Sequence, residues 1–410
     1  MHIKEIAEKI ASTNARLYLV GGAVRDYILN KEPYDFDYVV VGMNKDEFEE
    51  MFPKAISRGK AFPVYDIDGN EFALARKERK TGQGHKEFEM ITGKDITLEE
   101  DLMRRDITIN SMAMDVLTNE IIDPYGGRDD LKNKIIRATS DAFLEDPLRV
   151  YRVARFAAKL GFDVDRETLN LMYKAKEELS TLSSERVCNE LIKALSYEKP
   201  SIFFKVLRAS NTLDVHFKEI YNMIGVTQPE KYHQEGDVFN HTMIVVDKVA
   251  QMTDKLHIIF AGLVHDFGKT TTPKDMLPKH IGHEARGVEL VREFCNRLKL
   301  PTLYKKSGVT ACLEHMRAGI YEKMKPATKV DFLVRLNKSV LGLDGIEMIA
   351  NADKSKDDNE AEIKFADIGK KMIKEVDGKK YPKDMDFNLL KEKVRAERIK
   401  WLKINTFIVP

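Results

Sequence analysis

LVGGAVRDYIL (residues 19–29), followed by DFDYVVVG (residues 35–42), is the stretch whose reading decides the fold. Arg16 to Val20 reads as a buried strand that ends at Gly21-Gly22, and a helix from Ala23 to Asn30 follows directly. Pro33 breaks that helix, and Asp35 to Val41 reads as a second strand, alternating at first and then wholly apolar. A double glycine between strand and helix lets the backbone approach an anion closely, while the helix start offers unpaired N–H groups and a positive dipole end. Arg25, in the first turn, adds a fork of donors. Asp35 and Asp37 stand two apart on the predicted strand and so share a face, which lets both carboxylates hold one pair of magnesium ions. Alone, a double glycine is most often a tight turn and Asp-x-Asp an exposed edge. In this order both serve one ligand, a triphosphate held for phosphoryl transfer.

Working outward, a first helix is expected over about 3–13, and short strands over Phe62–Ile67, Glu71–Ala75, Met112–Val116 and Glu120–Asp123. Up to about residue 140 the pattern is an α/β unit. From Asp141 on, helix follows helix, broken at Lys199-Pro200-Ser201 and Thr227-Gln228-Pro229, with a linker expected at 226–237. A chain of 410 residues implies two or three domains. Its longest apolar runs, such as LHIIFAGLV (256–264), are too short to span a bilayer, and the polar N-terminus lacks the apolar stretch of a secretory signal. Cys188, Cys295 and Cys312 form neither a disulfide framework nor a zinc knuckle. The chain is therefore read as cytoplasmic, with no membrane partner. A net charge of +1 argues against a polycation that coats nucleic acid, but leaves room for local basic patches at Arg76–Lys80 and among the arginines of 149–155.

The opening stretch resembles the head of the tRNA nucleotidyltransferase and bacterial poly(A) polymerase family. Further segments match that family in order: RRDITIN (104–110), DPYGGRDDL (123–131), EDPLR (145–149) and TLSSER (181–186). The resemblance spans residues 17–195. It implies that Asp35 and Asp37 are catalytic magnesium ligands, and that Gly21, Gly22, Arg25, Arg105, Asp106 and Asn110 hold the ribose and phosphates. It also implies that Asp146 and Arg149 read the incoming base, buttressed by the 181–186 segment. In this family a flexible loop at the position of Arg76 to Gly84 helps switch the pocket from C to A, which favours addition of all three nucleotides.

Hydrogen-bond chemistry supports the base-reading role. Cytosine and adenine share an exocyclic amine donor beside a ring-nitrogen acceptor, and a carboxylate next to a guanidinium matches both. Uracil and guanine present the reverse order. Asp146 and Arg149, three apart on a predicted helix, would be neighbours on its surface. Arg152 and Arg155 continue at three-residue steps, within reach of triphosphate or tRNA.

A second constellation lies downstream. His241, His265-Asp266, His283, His315 and Asp353 fall on successive predicted helices, and imidazole with carboxylate suits transition metals. With HTM (241–243), VHDFGK (264–269) and GHEARG (282–287), the region 237–355 resembles the HD metal-dependent phosphohydrolase superfamily, as found behind the nucleotidyltransferase in enterobacterial-type CCA-adding enzymes. That resemblance implies hydrolysis of 2′,3′-cyclic phosphates and phosphomonoesters with a transition metal such as Ni2+ or Mn2+.

The expected architecture is α+β. A small α/β head with a short mixed sheet (1–140) precedes an all-helical neck and body for base reading and tRNA binding (141–230), a helical HD domain (237–356) and a helical tail (357–410). The expected activity is template-free addition of CCA to tRNA from CTP and ATP, with Mg2+ at the head. Two other readings stand beside it. One is a poly(A) polymerase, a family that usually carries a long basic C-terminal tail and no HD domain, whereas the C-terminal stretch here is mixed in charge. The other is a phosphohydrolase or RNA-binding protein with an inactive head, against which the intact Asp35 and Asp37 speak.

Overall fold

The computed structural model of the chain describes residues 2–33, 35–58, 64–80, 88–231, 234–354 and 362–406. It divides into two compact units, one of residues 1–190 with 202–215, the other of 191–201 with 216–410.

The first unit is built on a seven-stranded mixed sheet in the order Ile56–Arg58, Val64–Ile67, Asn70–Leu74, Asp37–Val41, Arg16–Val20, Ala113–Asp115, Ile121–Ile122. All neighbours are antiparallel except Asp37–Val41 and Asn70–Leu74, which run parallel with Asp37 opposite Glu71. The strands at the centre of this order are rich in Val, Leu and aromatic residues, which suit a half-buried pleated surface. An aromatic cluster joins three strands of the sheet and a helix: Tyr38 stacks on Phe72 at 5.2 Å, and Phe48, from the helix Lys45–Met51, meets Tyr65 at 4.6 Å. A second cluster comprises Val20, Val39, Ala75, Ile96, Leu98, Leu102 and Ala113. The segments around the sheet are fixed by capping: Asn44 and Thr97 each form a capping box with the glutamate three residues on.

Some elements depart from expectation. The second strand begins at Asp37, so Asp35 lies two residues before it, and the same-face argument for a strand pair does not apply as drawn. The segment expected as a loop from Arg76 begins as a strand: Arg76–Lys80 pairs with Phe88–Thr92 in a two-stranded antiparallel sheet, while 81–87 lie outside the described residues. The base-reading helix begins at Leu148 behind Pro147, so Asp146 precedes it, as the residue that ends the short 3-10 turn Asp141–Glu145. This helix, Leu148–Leu160, is buried over nine of its thirteen residues and stops at Gly161, whose φ of 68° is the left-handed cap that glycine adopts without steric cost.

In the second unit the helices Val238–Met252, Leu256–Val264, His283–Arg297, Thr302–Gly319 and Gly342–Asp353 surround a core that includes Phe260, Phe267 and Phe294. The stretch expected as a linker is tied down. Asp237 caps the first of these helices through Asn240 N, and its other oxygen accepts from Gly225 N. No described helix is long and apolar enough to cross a membrane.

Candidate active site and metal centre

The residues proposed from sequence for the head converge on one cavity of about 740 Å³ in the first unit. It is lined by Gly21, Gly22, Arg25, Asp35, Asp37, Arg105, Asp106, Asn110, Asp146, Arg149, Arg152 and Arg155. Gly21 sits at φ 74°, ψ −132°, and a Cβ there would lie 3.2 Å from an Arg105 guanidinium nitrogen, so glycine is what lets that arginine close over the turn. Desolvation in the cavity and the neighbouring charge of Asp35 hold the Asp37 carboxyl above the usual carboxylate range, against the lowering by Arg105 and with a further push from Glu71. Carboxylates crowded in this way are poised to share a divalent cation.

The cations of the cavity are held by acids and amides around them. Arg25 is 2% exposed and donates to Asn110 Oδ1 at 2.6 Å and to Asp26 Oδ1 at 2.9 Å. Asp106 accepts from Arg152 Nε at 2.7 Å, Asn110 Nδ2 at 3.2 Å and Ile107 N at 2.9 Å. Burial alone would raise its carboxyl, but Arg152 and these donors hold it below the usual range. Arg155 donates to Glu190 at 2.5 Å. The guanidiniums of Arg25, Arg152 and Arg155 lie 5.6, 5.6 and 4.2 Å from the ring of Phe156. Asp101, fully buried, gathers Arg104, Arg105 and the backbone N–H of Arg76, so the root of the Arg76–Lys80 strand shares a carboxylate with the arginine over Gly21.

Asp146 and Arg149 both line the cavity, but their side chains do not pair as the helix-neighbour argument required. Asp146 accepts from Leu148 N at 3.0 Å and from Arg186 Nη2 at 2.8 Å. Arg149, 7% exposed, donates to the carbonyls of Ala142 and Arg104. The acid–guanidinium couple is therefore Asp146 with Arg186, from the TLSSER segment.

Sequence reasoning missed the lining residues Glu71 and Lys159, and named Arg76 and Arg104, which also line the cavity, only within a basic run and a motif. Glu71 was visible as an acid in an apolar strand, but only the parallel register that sets it beside Asp37 makes it a third carboxylate of the site. The buried partners Asp101 and Glu190 gave no local signal.

The second unit assembles the six other expected residues into one centre. His241, His265, Asp266 and Asp353 form one set of ligand-type atoms, and Asp266, His283 and His315 another, with the atoms of each set within 4.8 Å of one another. Asp266 Oδ2 lies 3.2 Å from His265 Nε2, and Oδ1 lies 3.3 and 3.5 Å from the Nε2 atoms of His283 and His315. Asp353 Oδ1 lies 2.8 Å from His241 Nε2 and 3.4 Å from His265 Nε2. All four imidazoles turn Nε2 inward. Nδ1 of His265, His283 and His315 faces the carbonyls of Gly262, His280 and Ala311 at 2.7, 2.7 and 2.9 Å. The six come from helix ends and helix faces: His265 follows Leu256–Val264, His283 opens His283–Arg297, and Asp353 ends Gly342–Asp353.

Each of the two residue sets fits a metal ion. His265 Nε2 and both Asp266 oxygens are buried without a hydrogen bond of good geometry, an arrangement that a shared cation would satisfy, and the Lys269 ammonium stands 2.6 Å from Asp266 Oδ2. Burial would lower His265, but Asp266 and Asp353 raise it to about 10, while both carboxyls are held well below the usual range chiefly by the histidines and, at Asp266, Lys269.

Residues 17–137 match the Poly A polymerase head domain family, 161–223 the family described as a probable RNA and SrmB-binding site of polymerase A, and 238–339 the HD domain family. The multifunctional CCA protein of Acinetobacter baylyi is 45% identical over 329 residues, covering 78% of this chain and 79% of that one. That of Vibrio parahaemolyticus is 44% identical over 325 residues with the same coverage. Among solved structures, the Thermotoga maritima CCA-adding enzyme complexed with tRNA superposes with a TM-score of 0.65 at 20% identity, covering 97% of this chain and 90% of that one. A tRNA-processing enzyme with CTP gives 0.59 at 24% identity, covering 96% and 99%. These two show the fold; the family rests on the sequence relatives. By its likeness to them over more than three quarters of its length, the chain belongs to the multifunctional CCA protein family.

Proposed function

We propose that this protein builds and repairs the 3′-terminal CCA of tRNA from CTP and ATP without a nucleic-acid template, in the cytoplasm. The observation that carries the proposal is the single cavity that joins Asp35 and Asp37 to the Gly21-Gly22 turn, the anchored arginines and Asp146. Asp35 and Asp37 would hold Mg2+, which when bound activates the attacking 3′-hydroxyl and neutralises the departing pyrophosphate. Arg25, Arg105, Arg152 and Arg155, with Asn110 and Asp106 behind them, hold the triphosphate in line. Asp146 accepts the exocyclic amine shared by C and A, and a guanidinium, Arg149 or its neighbour Arg186, donates to the ring nitrogen. We assign 1–140 to catalysis, 141–230 to base reading and tRNA binding, and 237–356 to hydrolysis, and give 357–410 no role of its own. At the second centre we assign phosphoester hydrolysis, 2′,3′-cyclic phosphates included, with a transition metal such as Ni2+ or Mn2+.

The test is incubation with tRNA ending at the discriminator base, with CTP and ATP singly and together. Two C residues with CTP alone and CCA with both are expected. Long A tracts from ATP would instead mark a poly(A) polymerase, and no incorporation an inactive head.

A further inference from the structure

We infer that Glu235 is a positioning residue of the second centre, so that the segment before the matched HD region supplies part of its support. The inference rests on the metal-site reading of that centre. A histidine binds a cation through one nitrogen only when the other carries the proton, so whatever faces the second nitrogen decides whether the ligand is ready. For His265, His283 and His315 that partner is a backbone carbonyl, fixed by the fold itself. His241 differs: its Nδ1 meets a side chain, with Glu235 Oε1 at 2.5 Å, while Nε2 faces Asp353 and the bridging Asp266. A carboxylate behind an imidazole fixes the ring's angle, places the proton on Nδ1 and makes Nε2 a stronger donor than a neutral carbonyl does.

Glu235 is also placed for this. Its side chain is 17% exposed, beside a His241 ring that is 4% exposed. The segment around it is pinned on both sides. Thr227 O accepts from His280 Nε2 at 3.0 Å, and Gln228, itself 5% exposed, accepts from Lys269 Nζ at 2.8 Å, the ammonium that touches Asp266. Asp237 Oδ2 accepts from Gly225 N at 2.7 Å, and a β-bridge joins Thr227 to Asp237. A tether between domains has no need of such anchoring. A segment that must hold one carboxylate against one imidazole does.

The test is Mn2+ binding to the full-length chain, measured by calorimetric titration on wild type, Glu235→Met, Glu235→Gln and His265→Ala. Glu235→Met keeps the side-chain length and removes the acceptor. It should weaken the ion at the His241, His265, Asp266 and Asp353 position about 10- to 100-fold, while the ion held by Asp266, His283 and His315 stays within a few-fold of wild type. Glu235→Gln keeps an oxygen for the Nδ1 proton and should recover most of the loss. CTP incorporation should be unchanged in both. Unaltered Mn2+ affinity in a folded Glu235→Met protein overturns the inference, as does a Glu235→Gln protein no tighter than Glu235→Met. Should Glu235→Met unfold, nitrogen-15 spectra of the Gln variant and wild type decide: His241 in its Nδ1–H form in wild type upholds the inference, and the Nε2–H form overturns it. If wild type and His265→Ala bind Mn2+ equally or not at all, the metal-site reading itself fails, an outcome distinct from these.

Discussion

Gly268, in the turn after His265-Asp266, has no room for even one more carbon. A Cβ built there would lie 1.9 Å from the carbonyl oxygen of His283 and 2.6 Å from the N–H nitrogen of Gly287. Both obstacles are backbone of the helix His283–Arg297, so no side chain can swing aside. Gly268 is not in the left-handed region, and the cost of Gly268→Ala is therefore steric. To reach van der Waals contact the helix must retreat by roughly 1.5 Å at its first turn. Overpacking of this kind costs about 1–3 kcal/mol, and a clash against backbone belongs at the upper end. For a unit of about two hundred residues, each kcal/mol moves Tm by about 2–4 °C, so a fall of about 6–12 °C in that unit's transition is expected. The retreat also carries His283 away from Asp266 Oδ1, now 3.3 Å from its Nε2. A displacement near 1 Å costs about a hundredfold in a reaction that depends on alignment, so hydrolysis of 2′,3′-cyclic AMP should fall by at least that factor. Scanning calorimetry, Mn2+ titration and the hydrolysis assay on one preparation read all three effects, with CTP incorporation as the control. A variant with wild-type Tm and wild-type hydrolysis would refute the packing argument.

Asp37→Asn should abolish incorporation of CTP and ATP while raising Tm slightly, because it removes a carboxylate whose ionisation is disfavoured by burial and then by Asp35; a lower Tm would count against that reasoning. Asp146→Ala with Arg149→Ala should admit UTP or GTP, and Arg149→Ala alone should also lower stability, since its guanidinium binds the Ala142 and Arg104 carbonyls; strict exclusion of UTP by the double variant would move base choice elsewhere. Burial and the Arg297 charge depress His216 to about 4 in the folded protein, below its unfolded value of 6.5. The neutral imidazole is thus favoured by folding, and its contribution is full above pH 6.5 and lost as pH falls towards 4. Urea midpoints should drop over that window, less steeply in His216→Asn, and equal slopes would sink the assignment.

Much of the fold was legible because strongly periodic or wholly apolar segments, such as Arg16–Val20 and Leu256–Val264, leave little choice of element. Two boundaries were not, for local reasons. Alternation extends the strand to Asp35 because it cannot show where pairing starts, and Arg16↔Val41 to Val20↔Asp37 leaves that residue two positions outside. Asp146 was placed on a helix because the spacing to Arg149 looked helical, whereas Pro147 takes the cap position and the turn before it ends at Asp146. At the sites, residues that bring ligand-type atoms were readable from their chemistry. Those that hold them were not: Asp101, Glu190 and Glu235 look like any surface acid until the fold puts a guanidinium or an imidazole against them, and Glu71 does so until the register sets it beside Asp37.

The acids beneath the arginines of the head have a kinetic meaning. Arg25, Arg152 and Arg155 each rest against a counter-ion of their own, Asp26, Asp106 and Glu190. The pocket can therefore keep several like charges close together, and the protein itself settles their rotamers. On the proposed reading of this cavity, an incoming triphosphate would meet an ordered surface and lose little freedom on its host's behalf. One pocket must accept two different nucleotides in turn and release pyrophosphate each time. For such a pocket, a grip that neither collapses when empty nor has to be rebuilt at each addition lets successive cycles begin from the same state.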